Sequence, residues 1–289
     1  MKIILSTDFS EENNMLFPYA IDLLKATGGE VILFHAFMDQ VLMGNSSFPG
    51  ALDSDTFFNR ELLAEMEIQA NAFMEEKKNN LEAQIRNNKI DNIAIKTVLR
   101  GGDPEMELLH LTETEKPDLI LMGTSGKGRK GFLEGSMAKS LMSKVNVPLL
   151  AIPVGYQWAA SNQIMYATNF SPHEVSVINQ LIGLTKRHHP VIHVVHFVLD
   201  ERDQKAPMAM DELKQAFQEE MNRGRIRFEL IRTGSPREAM KLFCESHQVS
   251  LCAFIAHKRT WLDYIFKDKV GKDDFFQLGI PMLTFRLPE

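Results

Sequence analysis

Five of the chain's seventeen glycines fall in one stretch, GTSGKGRKGFLEGSMAKS, at positions 123, 126, 128, 131 and 135. Glycine lets a backbone turn sharply and approach a ligand closely. Gly135-Ser136 then opens a helix, whose free N–H groups and dipole favour an anion. Lys127, Arg129, Lys130, Lys139 and Lys144, against Glu134 alone, give residues 123–144 a local charge of +4 in a chain whose net charge is -6. Flexible backbone, a helix start and cations together specify phosphate; the bland reading is a surface loop whose basic residues are merely solvated. The stretch is not a P-loop, because G-K-[ST] is absent and no hydroxyl is spaced to hold magnesium.

Other clusters carry less chemistry. His188, His189, His193 and His196 crowd into HHPVIHVVH, but on a strand His193 and His196 point to opposite faces. Zinc ligands must converge on one point, so no metal site is expected. His35 and His196 read as buried, hydrogen-bonded strand residues. Ser6, Ser10 and Ser125 lack a base with its orienting partner, and no carboxylate pair flanks the glycine stretch. No catalytic residue is expected.

The elements that position these residues occur twice. Residues 3–10 (IILSTDFS) return as 164–171 (IMYATNFS), and 31–37 (VILFHAF) as 192–198 (IHVVHFV), both at an offset of 161. RGGDP at 100–104 returns as RTGSP at 232–236, an offset of 132, so the first copy carries 29 extra residues between these blocks. VPLLAIP at 147–153 matches IPMLTFRL at 280–287, with Pro148 opposite Pro281. Four blocks in one order mark a tandem duplication.

Within the first copy, apolar runs at residues 2–7, 30–37, 92–99, 118–123 and 147–152 read as strands. Residues 11–26, 57–87, 104–115 and 136–144 read as helices. Apolar strands separated by helices imply a parallel sheet covered on both faces. Ser10 before Glu11-Glu12-Asn13 reads as a helix cap, as do Asp103 and Ser235 before Pro104 and Pro236. The expected architecture is α/β: two tandem five-stranded parallel-sheet domains, residues 1–154 and 163–289, joined by VGYQWAASN. The extra residues centre on 39–56, a Gly-, Ser- and Pro-containing stretch that reads as a surface excursion or as a lid over a site.

Composition narrows the class. Hydrophobic residues make up 44% and charged residues 24%, which is ordinary for a globular chain. A charge of -6 offers no general attraction to nucleic acid or to acidic membranes. The apolar runs fall short of a bilayer span, and MKIILSTDFSEEN does not read as a signal peptide. Two cysteines, Cys244 and Cys252, are too few for a disulfide scaffold and suit a reducing compartment. The expectation is a soluble cytoplasmic protein.

In an open parallel sheet, ligands bind outside the carboxyl ends of the strands. There the first copy resembles a universal stress protein domain of the ATP-binding kind. Gly123-x-x-Gly126 followed by Gly135-Ser136 resembles that family's G-x-x-G-x(9)-G-[ST], with eight intervening residues here. The strand ending in Thr7-Asp8-Phe9-Ser10 and the one ending in His35-Ala36 are similar too, and the block order extends the resemblance to both copies. It implies an adenine nucleotide alpha-hydrolase-like, Rossmann-like fold, with two pseudo-two-fold-related halves pairing through their last strands, residues 147–152 and 281–286, as a pseudo-dimer within one chain. Association of whole chains into a homodimer stays open.

By the same resemblance ATP or ADP, with Mg²⁺ accompanying it, would lie across the strand ends. Asp8 would bond the adenine or ribose edge, and Thr7 and Ala36 would frame the base. Met122, Gly123, Ser125 and Gly126 would line the ribose and first phosphates, and Gly135 and Ser136 would take the distal phosphates. The bland alternatives are that Asp8 caps the following helix and that Met122 is core. In the second copy Asn169 replaces Asp8, and AHKRTW follows the strand at 251–255 without G-x-x-G; His257-Lys258-Arg259 read as surface or interface residues. The implied function is a nucleotide-binding stress sensor without fast turnover; a scaffold with a vestigial pocket and a slow ATPase are the alternatives.

Overall fold

The computed structural model describes residues 1–25, 27–37, 54–124, 136–157, 162–199, 204–256 and 278–286, and the side chains of residues 54–63 and 136 lie outside it. The chain divides into two compact units, Met1–Met122 and Gly123–Glu289.

In the first unit, parallel strands β1 (Lys2–Ser6), β2 (Gly29–Phe37), β3 (Ile93–Gly101) and β4 (Leu119–Gly123) alternate with helices α1 (Phe17–Leu24), α2 (Ser54–Asn87) and α3 (Pro104–Glu115). The spatial order β3-β2-β1-β4 puts β1 in the middle. Ile3, Ile4 and Leu5 of β1 are wholly buried, because helices must cover both faces of such a sheet. Gly29 opens β2 where a Cβ would lie 1.8 Å from the Met1 carbonyl oxygen, a close approach that only glycine permits. Asp103 caps α3 as expected, its Oδ1 accepting from the backbone N–H groups of Glu105 and Met106, both at 3.0 Å.

In the second unit, helix α4 (Ser136–Met142) leads to β5 (Leu149–Ile152). There follow β6 (Gln163–Ala167), α5 (Glu174–Thr185), β7 (Val191–Val198), α6 (Lys205–Ala216), α7 (Gln218–Asn222), β8 (Ile226–Arg232), α8 (Pro236–Ser246), β9 (Leu251–Ile255) and β10 (Met282–Phe285). Their order is β5-β10-β9-β6-β7-β8. All neighbours are parallel except β5 and β10, which run antiparallel with Leu283 opposite Leu150. Both of these strands are fully buried, so each hides the edge the other would expose. That pairing places β5, part of the first sequence copy, in the second unit.

Two local expectations change. The helix expected from residue 11 begins as a 3-10 turn, Glu12–Leu16, and becomes α-helical only at Phe17; Ser10 Oγ still accepts from the Asn13 N–H at 3.3 Å. Ser235 makes no side-chain cap. Instead Thr233 Oγ1 accepts from the Ser235 N–H at 3.0 Å, closing the turn before α8. Of the stretch at 39–56, residues 39–53 lie outside the described residues, and the remainder enters α2. That helix is 34 residues long, against 12 for α6.

Cys244 and Cys252 are free and buried, with their sulfurs 3.7 Å apart. The contact with Cys244, and then burial, push the Cys252 thiol well above its ordinary range. Because the thiolate is the reacting form, the native protein is expected to leave both thiols unlabelled by Ellman's reagent and to release both on unfolding. Prompt labelling of the native chain would contradict the packing of α8 on β9.

Candidate functional site

The carboxyl end of β1 is a turn built by side chains. Beyond Ser6 the chain stays beside β2 for one more residue, the Thr7 N–H donating to the Phe34 carbonyl at 2.8 Å. Phe9 then adopts a left-handed backbone, φ 62°, uncommon for a non-glycine residue. Thr7 Oγ1 accepts from the Phe9 N–H at 3.1 Å, and Asp8 Oδ1 from the Ser10 N–H at 2.9 Å. The Phe9 ring lies over His35, centroids 3.9 Å apart, and nears Phe73 at 5.6 Å. His35 Nδ1 lies 2.7 Å from the Thr7 carbonyl oxygen.

Asp8 is half-buried, and its hydrogen bonds among the described residues converge on one oxygen. Oδ1 accepts from the Ser10 N–H, from Ser10 Oγ at 2.6 Å and from Asn13 Nδ2. Oδ2 carries none of these bonds. Asp8 therefore closes an Asx-type turn ahead of the helix rather than capping a helical N–H, and retains a second carboxylate oxygen. Lys77 of α2, only 2% exposed, closes the back of the turn. Its ammonium donates to the Ser10 carbonyl at 3.2 Å, Glu11 Oε1 at 3.2 Å and Asn14 Oδ1 at 2.9 Å.

Strand register gathers the neighbouring residues. Ser6 pairs with Phe34, and Leu5 with Leu121, so Thr7 and Asp8 emerge beside His35 and Ala36 on one side and Met122 on the other. Ala36 and Met122 are buried, and Gly123 ends β4. Thr124, next in line, is buried and donates its N–H to the Ile152 carbonyl at 3.0 Å. The structure thus brings Thr7, Asp8, Ala36 and Met122 to adjacent strand ends. Ser125, Gly126 and Gly135 lie outside the described residues, as do His257, Lys258 and Arg259. Ser136 begins α4, its side chain undescribed. Sequence reasoning passed over Lys77 and the part played by Asn13; the S-x-x-N spacing pointed to the latter.

The second copy repeats the turn with its polar atoms exchanged. Thr168 Oγ1 accepts from the Phe170 N–H at 3.0 Å, Phe170 has φ 59°, and His196 Nδ1 lies 2.8 Å from the Thr168 carbonyl oxygen. At the same offset of 161, Asn169 stands for Asp8 and Glu174 for Asn13. A carboxylate cannot replace the amide donor of Asn13, and Asn169 Oδ1 is buried with no hydrogen bond among the described residues. Glu174, 3% exposed, turns its oxygens on the N–H groups of Asn169 and Ser171, each at 3.2 Å, and on the Tyr166 hydroxyl. The acid has moved from the strand end into the core.

A parallel α/β sheet with polar turns at its strand ends is the general form of a nucleotide- or cofactor-binding domain. The universal stress protein family model matches residues 1–153, more than half of the chain, and the chain belongs to that family. Universal stress protein MJ0577 of Methanocaldococcus jannaschii is 29% identical over 163 residues, covering 52% of this chain and 93% of that protein. Universal stress protein MJ0531 of the same organism is 25% identical over 152 residues, covering 52% and 81%. A universal stress protein from Archaeoglobus fulgidus shares the fold, with TM-score 0.62 at 14% identity over 100% of this chain and 97% of that one. A universal stress protein from Pseudomonas aeruginosa gives 0.57 at 13% over 99% and 92%.

Proposed function

We propose that the chain is a stress regulator that binds ATP or ADP, with accompanying Mg²⁺, at the β1, β2 and β4 ends of its N-terminal copy, without fast turnover. The observation that carries the reading is the division of labour in Asp8. Three donors hold Oδ1 and fix the carboxylate, while Oδ2 is left for an adenine amino or ribose hydroxyl donor. Thr7 and Ala36 would frame the base and Met122 and Gly123 the ribose. Ser125, Gly126, Gly135 and Ser136 would take the phosphates, as the cationic glycine stretch suggests. Nucleotide occupancy would order that stretch and change a surface that a partner reads.

In this reading residues 1–154 and 163–289 are two stress protein domains. The β5–β10 pairing would join them as an intrachain pseudo-dimer, with the second domain degenerate at Asn169. No described helix is long and apolar enough to cross a membrane, in keeping with a cytoplasmic regulator.

Asp8→Asn is the discriminating variant, because it preserves the Oδ1 turn and converts only Oδ2 into a donor. In calorimetric titration with Mg-ATP the wild-type chain is expected to bind. The variant should bind roughly tenfold or more weakly, the effect of a lost bond to a charged group, with its thermal midpoint unchanged. Equal affinities would remove Asp8 from the site. Absence of binding by the wild-type chain would favour the scaffold reading, for which the Asn169–Glu174 exchange is a precedent within the molecule. Sustained phosphate release that Asp8→Asn abolishes would favour the slow ATPase.

A further inference from the structure

We propose that His193, Glu229 and His247 form a binding site for a divalent borderline metal, zinc in the first instance, in the second unit. The three ligand atoms lie within 4.8 Å of one another, although the residues are far apart in sequence. Register brings them together. Val195 of β7 pairs with Glu229 of β8, and His193, two residues before Val195, shares its face. Helix α8 then runs back over the sheet, and His247 is its C-cap.

The contacts of His193 suit a metal ligand. The ring is 1% exposed. Its Nε2 lies 2.9 Å from Gln163 Oε1 and its Nδ1 2.9 Å from Glu229 Oε1. A neutral imidazole has one N–H to give. Placed on Nε2, it satisfies Gln163 and leaves the Nδ1 lone pair facing a carboxylate. A metal ion between them would relieve that opposition. The nearby imidazole of His247 supplies the third donor that a metal site needs.

The surroundings have the form of an outer shell for such a site. Ligating histidines usually present their other ring nitrogen to an oxygen acceptor, which fixes tautomer and orientation. Gln163 does this for His193. For His247, Nδ1 lies 3.1 Å from the Phe243 carbonyl oxygen and 3.0 Å from Ser246 Oγ, which leaves Nε2 to coordinate. Phe243 walls the site, stacked on His247 at 4.0 Å with its edge toward His193 at 5.5 Å.

Arg227 is exposed and makes no ion pair with Glu229 among the described residues, so the carboxylate charge remains for the metal. Cys244, one turn earlier on α8, faces Cys252 instead. Two imidazoles and one carboxylate suit Zn²⁺, with bonds of about 2.0–2.2 Å and tetrahedral ligand separations of roughly 3.4 Å. Small rotations of Glu229 and His247, both half-buried, would close that spacing. The fourth position opens on the side of Glu229, whose side chain is 34% exposed.

The test uses the full chain without an affinity tag, stripped by chelator and titrated with zinc chloride by calorimetry, with metal content measured after dialysis. One equivalent of zinc is expected, together with a higher thermal midpoint. His247→Ala and Glu229→Gln, both at half-buried positions, should each abolish binding at micromolar zinc. Gln163→Leu should weaken it about 10–100-fold as an outer-shell loss, and His189→Ala, at an exposed position outside the cluster, should change nothing. Circular dichroism of each variant establishes that it is folded. No zinc binding by the wild-type chain, or undiminished binding by folded His247→Ala and Glu229→Gln, would overturn the proposal.

Discussion

Lys77→Ala is expected to destabilise the first unit by about 3 kcal/mol, a fall of roughly 9 °C in its thermal midpoint. Lys77 is 2% exposed, a rare setting for lysine, and the Ser10 carbonyl, Glu11 and Asn14 accept its three N–H bonds. Glu11 is 80% exposed, so water screens that ion pair and it contributes little. The main terms are the buried aliphatic stem, about 0.8 kcal/mol per methylene, and the Asn14 oxygen left without the ammonium donor, since the Ser10 carbonyl keeps the Asn13 N–H at 3.3 Å. Lys77→Met separates them, because it keeps the stem and removes only the ammonium. The methionine variant should lose about 1 kcal/mol by the same reckoning. Scanning calorimetry on both variants checks the order, and an alanine variant as stable as wild type would refute this account of the turn. Because Lys77 supports the turn that carries Asp8, the nucleotide binding proposed above should weaken with stability in the alanine variant.

Strands such as β1, β4 and β9 were legible in the sequence because they are apolar on both faces, and β9 begins and ends where its apolar run does. The repeat likewise foretold the twin turns, since Thr7, Phe9 and His35 each return 161 residues later. Lys77 was barely legible. It sits in EEKKNN, where charged residues surround it, and its place at helical spacing among the buried Ala70, Met74, Leu81 and Ile85 is the one signal that separates it from its neighbours. The metal cluster was hidden for another reason. Inspection of HHPVIHVVH compares residues near in sequence, and His196 indeed turns its Nδ1 to the Thr168 carbonyl, away from His193. The other ligands come from β8 and the end of α8, and strand register is a property of the sheet. Ser235 illustrates a local failure. A serine before proline has the composition of a cap, but Ser235 makes no side-chain cap bond, and the turn is closed by Thr233, which accepts the Ser235 N–H.

The exchange of acid and amide between the copies has the larger consequence for stability. Glu174→Ala is expected to cost about 4 kcal/mol, since it strands the hydroxyl of the wholly buried Tyr166 and two backbone N–H groups. Glu174→Gln should behave in the opposite way. Its oxygen can keep the Asn169 and Ser171 N–H groups, and its amide nitrogen can donate to the Tyr166 oxygen. The difference should depend on pH. Burial raises the Glu174 carboxyl above its ordinary 4.5, against the hydrogen bonds from Tyr166 and the backbone that lower it. Between 4.5 and the raised folded value the native state therefore holds more protons than the unfolded chain. Unfolding free energy contributed by this group falls as pH rises through that window and levels off above it. The glutamine variant lacks this decline, so its stability relative to wild type should grow from pH 4.5 upward. Urea unfolding of both proteins across that range measures the difference. A pH-independent gap between them would mean that Glu174 does not titrate abnormally in the fold. A gap widening toward acid would reverse the sign and place the acid in a charge-stabilising site.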